Sequence, residues 1–397
     1  MSSNHNAVTS PFLLLNIGHA LNHYLLLVFP TVALFLMQPW QMSYAELIKL
    51  GSVGALAYGA GALPAGWLAD RYGRHTMMTV FLLGIGLASI LADMAQHPWQ
   101  LMLAVSLVGL FAAIYHPVGI AMVYEISDKP GRALAINGVA GNLGLAVAAI
   151  CTTGLAQYLG WRWAFILPGV LALLCGYVYA KSTNNFILQT EHQLKSTNLD
   201  KTKTNMVYIF IAILVIAACG GLVFNSLTTA LPKIIAETYQ AKEFSITKVG
   251  GIATAMLIFS SMAQLIIAVL LEKYSPEKLL ICLTSMQVIA LFTASESASP
   301  MGPLLVAIFL TFAQIPVNDM LIGKNSSNAW RSRFYAMKYT IGLSIASIAY
   351  WLIALSHESS LGFNMMLTTL ALVMCAAVGA AVTLVYFKKA PSECGES

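Results

Sequence analysis

The segment 66–78, GWLADRYGRHTMM, is a charged break between two long apolar runs. Asp70, Arg71 and Arg74 follow one another closely here, whereas only 9% of the 397 residues are charged. The runs on either side, near 47–69 and 76–95, are each as long as the roughly 20 residues that a helix needs to cross a bilayer. The segment therefore predicts a tight loop between two transmembrane helices.

The same alternation of apolar runs and short polar breaks continues through the whole chain, which is 58% hydrophobic. This composition excludes a water-soluble enzyme, because so apolar a chain cannot form a solvated surface. We predict an all-α membrane protein with twelve spans, near 11–37, 47–69, 76–95, 99–123, 133–159, 161–180, 206–235, 248–271, 277–296, 301–323, 333–356 and 361–387.

The basic residues predict the orientation of the spans. If both termini are cytoplasmic, most of the 21 Lys and Arg residues fall on the cytoplasmic side, as the positive-inside rule requires. We therefore expect a multi-pass inner-membrane protein with an N-terminal six-helix bundle (1–180), a cytoplasmic linker (181–205) and a C-terminal six-helix bundle with a short cytoplasmic tail (206–397). The basic residues left on the outer side are Lys49, Arg162, Lys233, Lys242 and Lys248.

The two halves repeat each other at an offset of 202 residues, the separation of His23 from Asn225. The same offset aligns His116 with Asn318, and the charged pair after span two with a charged pair after span eight. Parallel repeats of six helices imply a pseudo-two-fold axis along the membrane normal, with a binding site between the halves near the midplane.

The loop after span two resembles the signature G-x-x-x-D-R-x-G-R-R/K of the major facilitator superfamily, with His75 at the last position. Three further strings are similar to the fosmidomycin-resistance-type efflux branch: HALNHYLLLVFP (19–30), AAIYHPVG (112–119) and VAGNLGLAVA (139–148). The resemblance implies two pseudo-symmetric six-helix bundles, alternating access, and a cavity lined by spans one, four, seven and ten.

The same resemblance implies a cytoplasmic gate at the loop. In the family the aspartate, here Asp70, faces the N-terminus of the eleventh helix, which we expect to begin after Arg331 and Arg333. Arg74 is within reach of Glu125 at the end of span four. The predicted gate residues are Gly66, Asp70, Arg71, Gly73, Arg74, Glu125 and Arg132.

Polar side chains in the apolar spans are costly to bury, so each is a candidate for function. His19 and His23 share one helix face, and His116 of span four lies at a similar depth. Three interpretations stay open for these histidines: substrate or proton binding, hydrogen bonds between helices, and metal binding. The predicted wall of the first half comprises His19, Asn22, His23, Tyr115 and His116.

The second half supplies the facing wall, in which Asp319 and Lys338 lie on neighbouring helices and can pair. This pair is either purely structural or opens when an anionic substrate binds Lys338 or a proton neutralises Asp319. The predicted residues are Asn225, Gln264, Gln314, Asn318, Asp319, Lys338 and Tyr339.

These features predict a secondary active transporter of a small polar or amphipathic solute, with proton-coupled efflux. The alternative is a transporter of an organic anion, such as a carboxylate metabolite or siderophore, in either direction. A membrane sensor that does not transport is the third possibility. We expect a monomer without enzymatic activity, nucleic-acid partner or cofactor, and no metal site, because His-x-x-x-His supplies only two ligands.

Overall fold

The computed structural model describes residues 5–127, 129–182, 204–239, 245–325 and 328–389. All regular secondary structure in these ranges is helical. The predicted linker 181–205 falls almost wholly outside the described residues, so its position stays a prediction.

The first half contains seven α-helices within its described residues, and a π-helix, Tyr115–Gly119, follows α4. The α-helices are α1 (His5–Leu36), α2 (Tyr44–Tyr72), α3 (Arg74–Asp93), α4 (Pro98–Ala112), α5 (Ile120–Ile126), α6 (Pro130–Tyr158) and α7 (Trp163–Ser182). The helices α4 and α5 and the π-helix between them form one span, Pro98–Ile126.

The second half also contains seven α-helices within its described residues. They are α8 (Thr204–Thr238), α9 (Ile246–Ser261), α10 (Ala263–Lys273), α11 (Pro276–Glu296), α12 (Met301–Asn325), α13 (Asn328–Glu358) and α14 (Phe363–Lys389). The helices α9 and α10 form one span, Ile246–Lys273.

Twelve helical segments in the described part of the chain are long and apolar enough to cross a membrane, which confirms the predicted number of spans. One predicted boundary is wrong: the eleventh helix begins at Asn328, before Arg331 and Arg333. Its apolar stretch starts only at Met337. Arginine is a good helix former, so the helix extends into the polar segment that hydropathy assigns to a loop.

The two halves meet along two helix pairs, α2 with α13 and α6 with α9. Small residues allow this close approach. A Cβ atom on Gly59 of α2 would overlap the backbone of Ser344 in α13, and one on Gly250 of α9 would overlap Thr153 in α6. Glycine at these positions lets the helix backbones pack directly, as is typical of helix pairs in membranes.

Polar contacts also join the halves at the end of the bundle where α1 and α13 end, which we call the distal end. There Lys49 Nζ lies 2.6 Å from Glu358 Oε1, and Lys233 Nζ lies 5.3 Å from the centre of the Tyr44 ring. We call the opposite end, where α2 turns into α3 and α7 ends, the linker end. The distal contacts hold the two halves together at one end of the bundle.

Candidate functional site: a polar wall between the two halves

A π-helix in the fourth span positions Tyr115 and His116. Pro117 within it has no N–H group and cannot make the ordinary helical hydrogen bond, and the chain here forms wider turns. Tyr115 and His116 are both buried in this arrangement. The Tyr115 hydroxyl donates a hydrogen bond of 2.9 Å to the Leu15 carbonyl, which fastens the π-helix to α1.

Three histidines from two spans meet beside this π-helix. The ring centres of His19 and His23 lie 4.9 Å apart, and the His116 ring centre lies 5.4 Å from the first and 5.5 Å from the second. One nitrogen atom of each ring lies within 4.8 Å of the corresponding atoms of the other two. The structure therefore brings together the histidines that the sequence places at similar depth, and we call them the histidine cluster.

Hydrogen bonds fix the tautomers of two members of the cluster. His19 Nδ1 lies 2.8 Å from the backbone carbonyl oxygen of Asn137, which can only accept, so the proton is on Nδ1. In neutral His19 the Nε2 atom is then an acceptor. His23 Nε2, 3.1 Å away, donates to it.

His116 differs from the other two because neither of its ring nitrogens has a hydrogen-bond partner among the described residues. Its side chain is only 7% exposed. A buried polar group without a partner destabilises the protein, and such groups are rare in native structures. His116 is therefore the member of the cluster that is open to a ligand.

An asparagine network that sequence reasoning missed supports the cluster. The Asn137 side-chain amide donates to Asn16 Oδ1 at 2.9 Å and to the Tyr115 hydroxyl at 2.8 Å. The sequence contains a signal for both residues, because Asn16 is one helical turn before His19 and Asn137 interrupts an apolar run. Asn22, which was predicted, donates to the Tyr58 hydroxyl at 3.2 Å.

Gly141 of α6 makes room for the His19 ring. A Cβ atom at this position would lie 2.7 Å from both Cε1 and Nε2 of His19. Since these ring atoms are held by the hydrogen bonds to Asn137 and His23, they cannot easily move aside. Glycine at position 141 is thus a requirement of the cluster.

The second half closes the cluster from the other side. The Tyr339 ring stacks on His116 with 5.2 Å between ring centres. Next to it, Lys338 Nζ lies 2.5 Å from Asp319 Oδ1 and 5.1 Å from the centre of the Tyr339 ring. The ion pair that the sequence suggests is therefore formed. Its lysine directly precedes Tyr339, the residue that stacks on His116.

No hydrogen bond between described residues joins the other predicted residues of this wall to the cluster. Asn225 hydrogen-bonds the Gly221 carbonyl of its own helix at 2.7 Å, and Asn318 is buried with its Oδ1 atom unpartnered among the described residues. Gln314 donates to Gln287 Oε1 at 2.5 Å between α12 and α11, so helix packing accounts for its polarity. Gln264 lies in α10, beside the break in the eighth span, and makes no hydrogen bond with the described residues.

The loop between α2 and α3 forms part of the predicted gate. Gly73, with φ of 87°, ends α2 and begins α3, a backbone conformation that favours glycine. Arg74 forms an ion pair with Glu125, as the sequence suggests, and Gly66 lies near Pro117. The Arg71 guanidinium lies over the Trp67 and Tyr72 rings.

The side chains of Asp70 and Arg132 are exposed and form no hydrogen bond or ion pair with side chains that the structure describes. The expected interaction of Asp70 with the start of the eleventh helix stays a prediction, because the side chains of residues 328–333 are outside those that the structure describes.

A comparison with protein families matches residues 12–323 to the model described as Major Facilitator Superfamily. The chain belongs to the Major Facilitator Superfamily. The match includes the loop signature, the histidine cluster and Asp319.

Curated relatives within the superfamily are distant. The chain is 37% identical over 122 residues to the puromycin resistance protein pur8 of Streptomyces alboniger, covering 30% of this chain and 24% of the relative. It is 32% identical over 165 residues to a probable 4-methylmuconolactone transporter of Cupriavidus pinatubonensis, covering 39% of each chain. It is 24% identical over 288 residues to multidrug resistance protein MdtG of Escherichia coli O9:H4, covering 68% of each. The chain thus spans well under half the length of the first two relatives.

Solved structures share the fold. The D-xylose-proton symporter matches with a TM-score of 0.76 at 14% identity, over 96% of this chain and 98% of that one. A bacterial homologue of the human lysosomal transporter Spinster, in an inward-facing and unoccupied conformation, matches with a TM-score of 0.70 at 14% identity, over 97% and 96%.

The superfamily fixes the broad class of the protein. It is a multi-pass membrane protein with the fold of this superfamily, and its bacterial relatives indicate the inner membrane.

Proposed function

We propose that this protein moves a small polar or amphipathic solute across the inner membrane by alternating access, as a monomer that exports the solute in exchange for protons. The stacking of His116 on Tyr339 carries this proposal, because it sets buried polar groups of both halves face to face. Superfamily transporters bind solute and coupling ion between their repeats near the midplane. A solute that enters there separates these groups and lets the halves rock.

The solute site in this proposal is the histidine cluster with Asn22 and Tyr115 on one side, and Tyr339 and Lys338 on the other. The distal end faces outward and the linker end inward, so that both termini and residues 181–205 are cytoplasmic. The halves are the units 1–180 and 206–397. The distal contacts then close the outer side, and the solute enters from the cytoplasm.

Lys338 and Asp319 supply the coupling. Their ion pair is partly buried, and a proton on Asp319 neutralises the carboxylate and frees the Lys338 ammonium. A proton that arrives from outside would thus open the pair and change what the cavity binds. Export of solute in exchange for protons follows if solute and proton favour opposite states of this pair.

Two observations support export. The puromycin resistance protein and MdtG are named for resistance, and the strings HALNHYLLLVFP, AAIYHPVG and VAGNLGLAVA are similar to the fosmidomycin-resistance-type branch. The first two strings contain all three members of the histidine cluster. We therefore assign the chain to that branch as part of the proposal.

A second candidate is transport of an organic anion, in either direction. Lys338 favours it, because its ammonium is the one cation beside the cluster among the described residues. Two relatives are named as transporters of such compounds, the 4-methylmuconolactone transporter and a niacin transporter of Acinetobacter baylyi, 31% identical over 146 residues.

Both candidates are tested in inside-out vesicles with an imposed pH gradient in which the vesicle interior is acidic. Fosmidomycin, puromycin, nicotinate and 4-methylmuconolactone are added in turn while the fluorescence of a pH-sensitive acridine dye reports proton release. A solute exported by antiport dissipates the gradient in vesicles with the wild-type protein and not in those with Lys338→Met. Lys278→Met, an exposed lysine of α11, is the matched control and behaves as wild type.

A deletion strain is screened in parallel for compound sensitivity and for loss of growth substrates. Gradient dissipation by nicotinate or the muconolactone, and by neither antibiotic, selects the second candidate. If no solute changes the pH gradient of the vesicles and the deletion strain has a signalling phenotype, the protein is the non-transporting sensor.

A further inference from the structure

We propose that His19, His23 and His116 bind one divalent late transition-metal ion, of the class of Zn²⁺, Co²⁺ and Ni²⁺. The binding claim rests on the geometry of the cluster alone. Its consequence, that the transported solute is such an ion or a compound that carries it, rests on the function proposed above.

The spacing of the ring nitrogens fits a shared ion. Metal–nitrogen distances of about 2.0–2.1 Å in a tetrahedral site place two ligand nitrogens about 3.3 Å apart. His19 Nε2 and His23 Nε2 lie 3.1 Å apart, and a ring nitrogen of His116 lies within 4.8 Å of one ring nitrogen of each of the other two. A rotation of the His116 side chain completes a three-ligand site. The expectation of no metal site counted only the two ligands of His-x-x-x-His.

The surroundings of His19 are those of a metal ligand. A histidine that binds metal through one nitrogen usually donates the other N–H to a carboxylate or backbone carbonyl, which orients the ring. His19 Nδ1 donates in this way to the Asn137 carbonyl, and its Nε2 atom faces the cluster. The Asn137 side chain is itself held by Asn16 and Tyr115.

His116 and His23 can complete the site as neutral imidazoles, without gaining or losing a proton overall. His116 is buried with both nitrogens unpartnered among the described residues, so an ion satisfies an orphaned acceptor and displaces no hydrogen bond of this ring. His23 has to move its ring proton from Nε2 to Nδ1. It is the least buried of the three, which allows this exchange of tautomer.

Three neutral imidazoles leave both charges of the ion uncompensated and one coordination position open. A water molecule or an anionic group of the solute takes this position, on the side where the Lys338–Asp319 pair lies. Imidazole ligands suit zinc, nickel and copper, whereas magnesium and calcium prefer oxygen. The site therefore selects late transition metals over the abundant alkaline-earth ions.

Binding is measured on the purified full-length protein in detergent, with any affinity tag removed. Titration with Co²⁺ gives a visible absorption spectrum that reports the coordination geometry, and equilibrium dialysis with Zn²⁺ gives the stoichiometry. We expect one ion per chain and tetrahedral Co²⁺ bands. His19→Gln, His23→Gln and His116→Gln should each weaken binding by at least about tenfold, the smaller effect known for residues that only support a ligand.

Two comparisons separate ligation from structure. His357→Gln changes a histidine at the distal end and should leave the affinity unchanged. Gly141→Ala keeps all three histidines but displaces the His19 ring, and it should weaken binding while thermal unfolding shows that the protein remains folded. The site is supported if all three glutamine variants lose the one bound Co²⁺ while His357→Gln still binds it.

One ion per chain with unchanged affinity in the three glutamine variants overturns the site, as does an absence of binding to the wild-type protein. Neither result touches the proposed transport, which the vesicle assay measures without added metal. If the site binds Zn²⁺ and vesicles accumulate no Zn²⁺, with or without a chelating solute, the binding claim holds and the metal is excluded as cargo.

Discussion

The ring of His116 stacks on the ring of Tyr339 with 5.2 Å between their centres and 20° between their planes. The two residues belong to different halves of the protein, so this contact changes whenever the halves rock. It also links the histidine cluster to the Lys338–Asp319 pair, because Lys338 precedes Tyr339 and contacts its ring.

Removal of the Tyr339 ring should weaken transport more than removal of its hydroxyl. Stacked aromatic pairs contribute about 0.5–1.5 kcal/mol beyond their buried area. Tyr339→Phe keeps the aromatic face that the solute meets once it has separated the two rings, so we expect solute affinity close to wild type. Tyr339→Ala removes that face and should raise the solute KM by up to about tenfold, the factor that 1.4 kcal/mol represents. Transport by the two variants in vesicles checks this, and equal loss in both would show that the hydroxyl matters instead.

The orientation is testable by labelling single cysteines in a background from which the native cysteines are removed. A cysteine at Leu361, an exposed position between α13 and α14 at the distal end, should react with a membrane-impermeant maleimide added to intact cells. A cysteine at Ser196, outside the described residues, should react only in inside-out vesicles. The opposite pattern would invert the topology that the basic residues predict.

The distal contacts should hold the outer side closed. Lys49 and Glu358 are partly exposed, and such pairs contribute about 0–1 kcal/mol, so Glu358→Gln should shift the conformational equilibrium by a factor of a few rather than unfold the protein. In this variant, a cysteine introduced into the cavity should react faster than in the wild-type background with a membrane-impermeant maleimide added to intact cells. Glu296→Gln, at an exposed glutamate near the same end, is the control and should leave its reactivity unchanged.

The number of spans and the loop motif follow from the sequence because both depend on local properties, namely hydropathy and a glycine with positive φ at position 73. The histidines of α1 are likewise predictable, since a spacing of four residues places them on one helix face. The π-helix is not predictable from periodicity, because it shifts the register of span four and so determines how His116 meets the other two.

The support for the cluster was missed for a different reason. Asn16 and Asn137 are polar residues in apolar runs, as the predicted Asn22 is, and only the packing of α1 against α6 brings them to the cluster. There the Asn137 backbone carbonyl holds His19, and the Asn137 side chain joins Asn16 to Tyr115. Gln314 shows the converse case, since this buried polar residue on a predicted cavity-lining span bonds to Gln287 in the helix beside it. The rotation of a helix about its axis decides whether a polar residue faces the cavity or a neighbouring helix. That rotation depends on packing across the whole bundle.

The Lys338–Asp319 pair gives the sharpest separation of coupling from binding. Asp319→Asn keeps a side chain that accepts a hydrogen bond but cannot gain or lose a proton. We expect this variant to exchange labelled solute across vesicles without a pH gradient, while solute accumulation driven by the gradient is lost. Lys338 is then an uncompensated, partly buried cation, so the unfolding temperature should fall, and the double variant Asp319→Asn/Lys338→Gln should recover part of that fall because no charge is left unpaired. Gradient-driven accumulation that survives in Asp319→Asn would remove this carboxylate from the coupling mechanism and leave the pair a purely structural role.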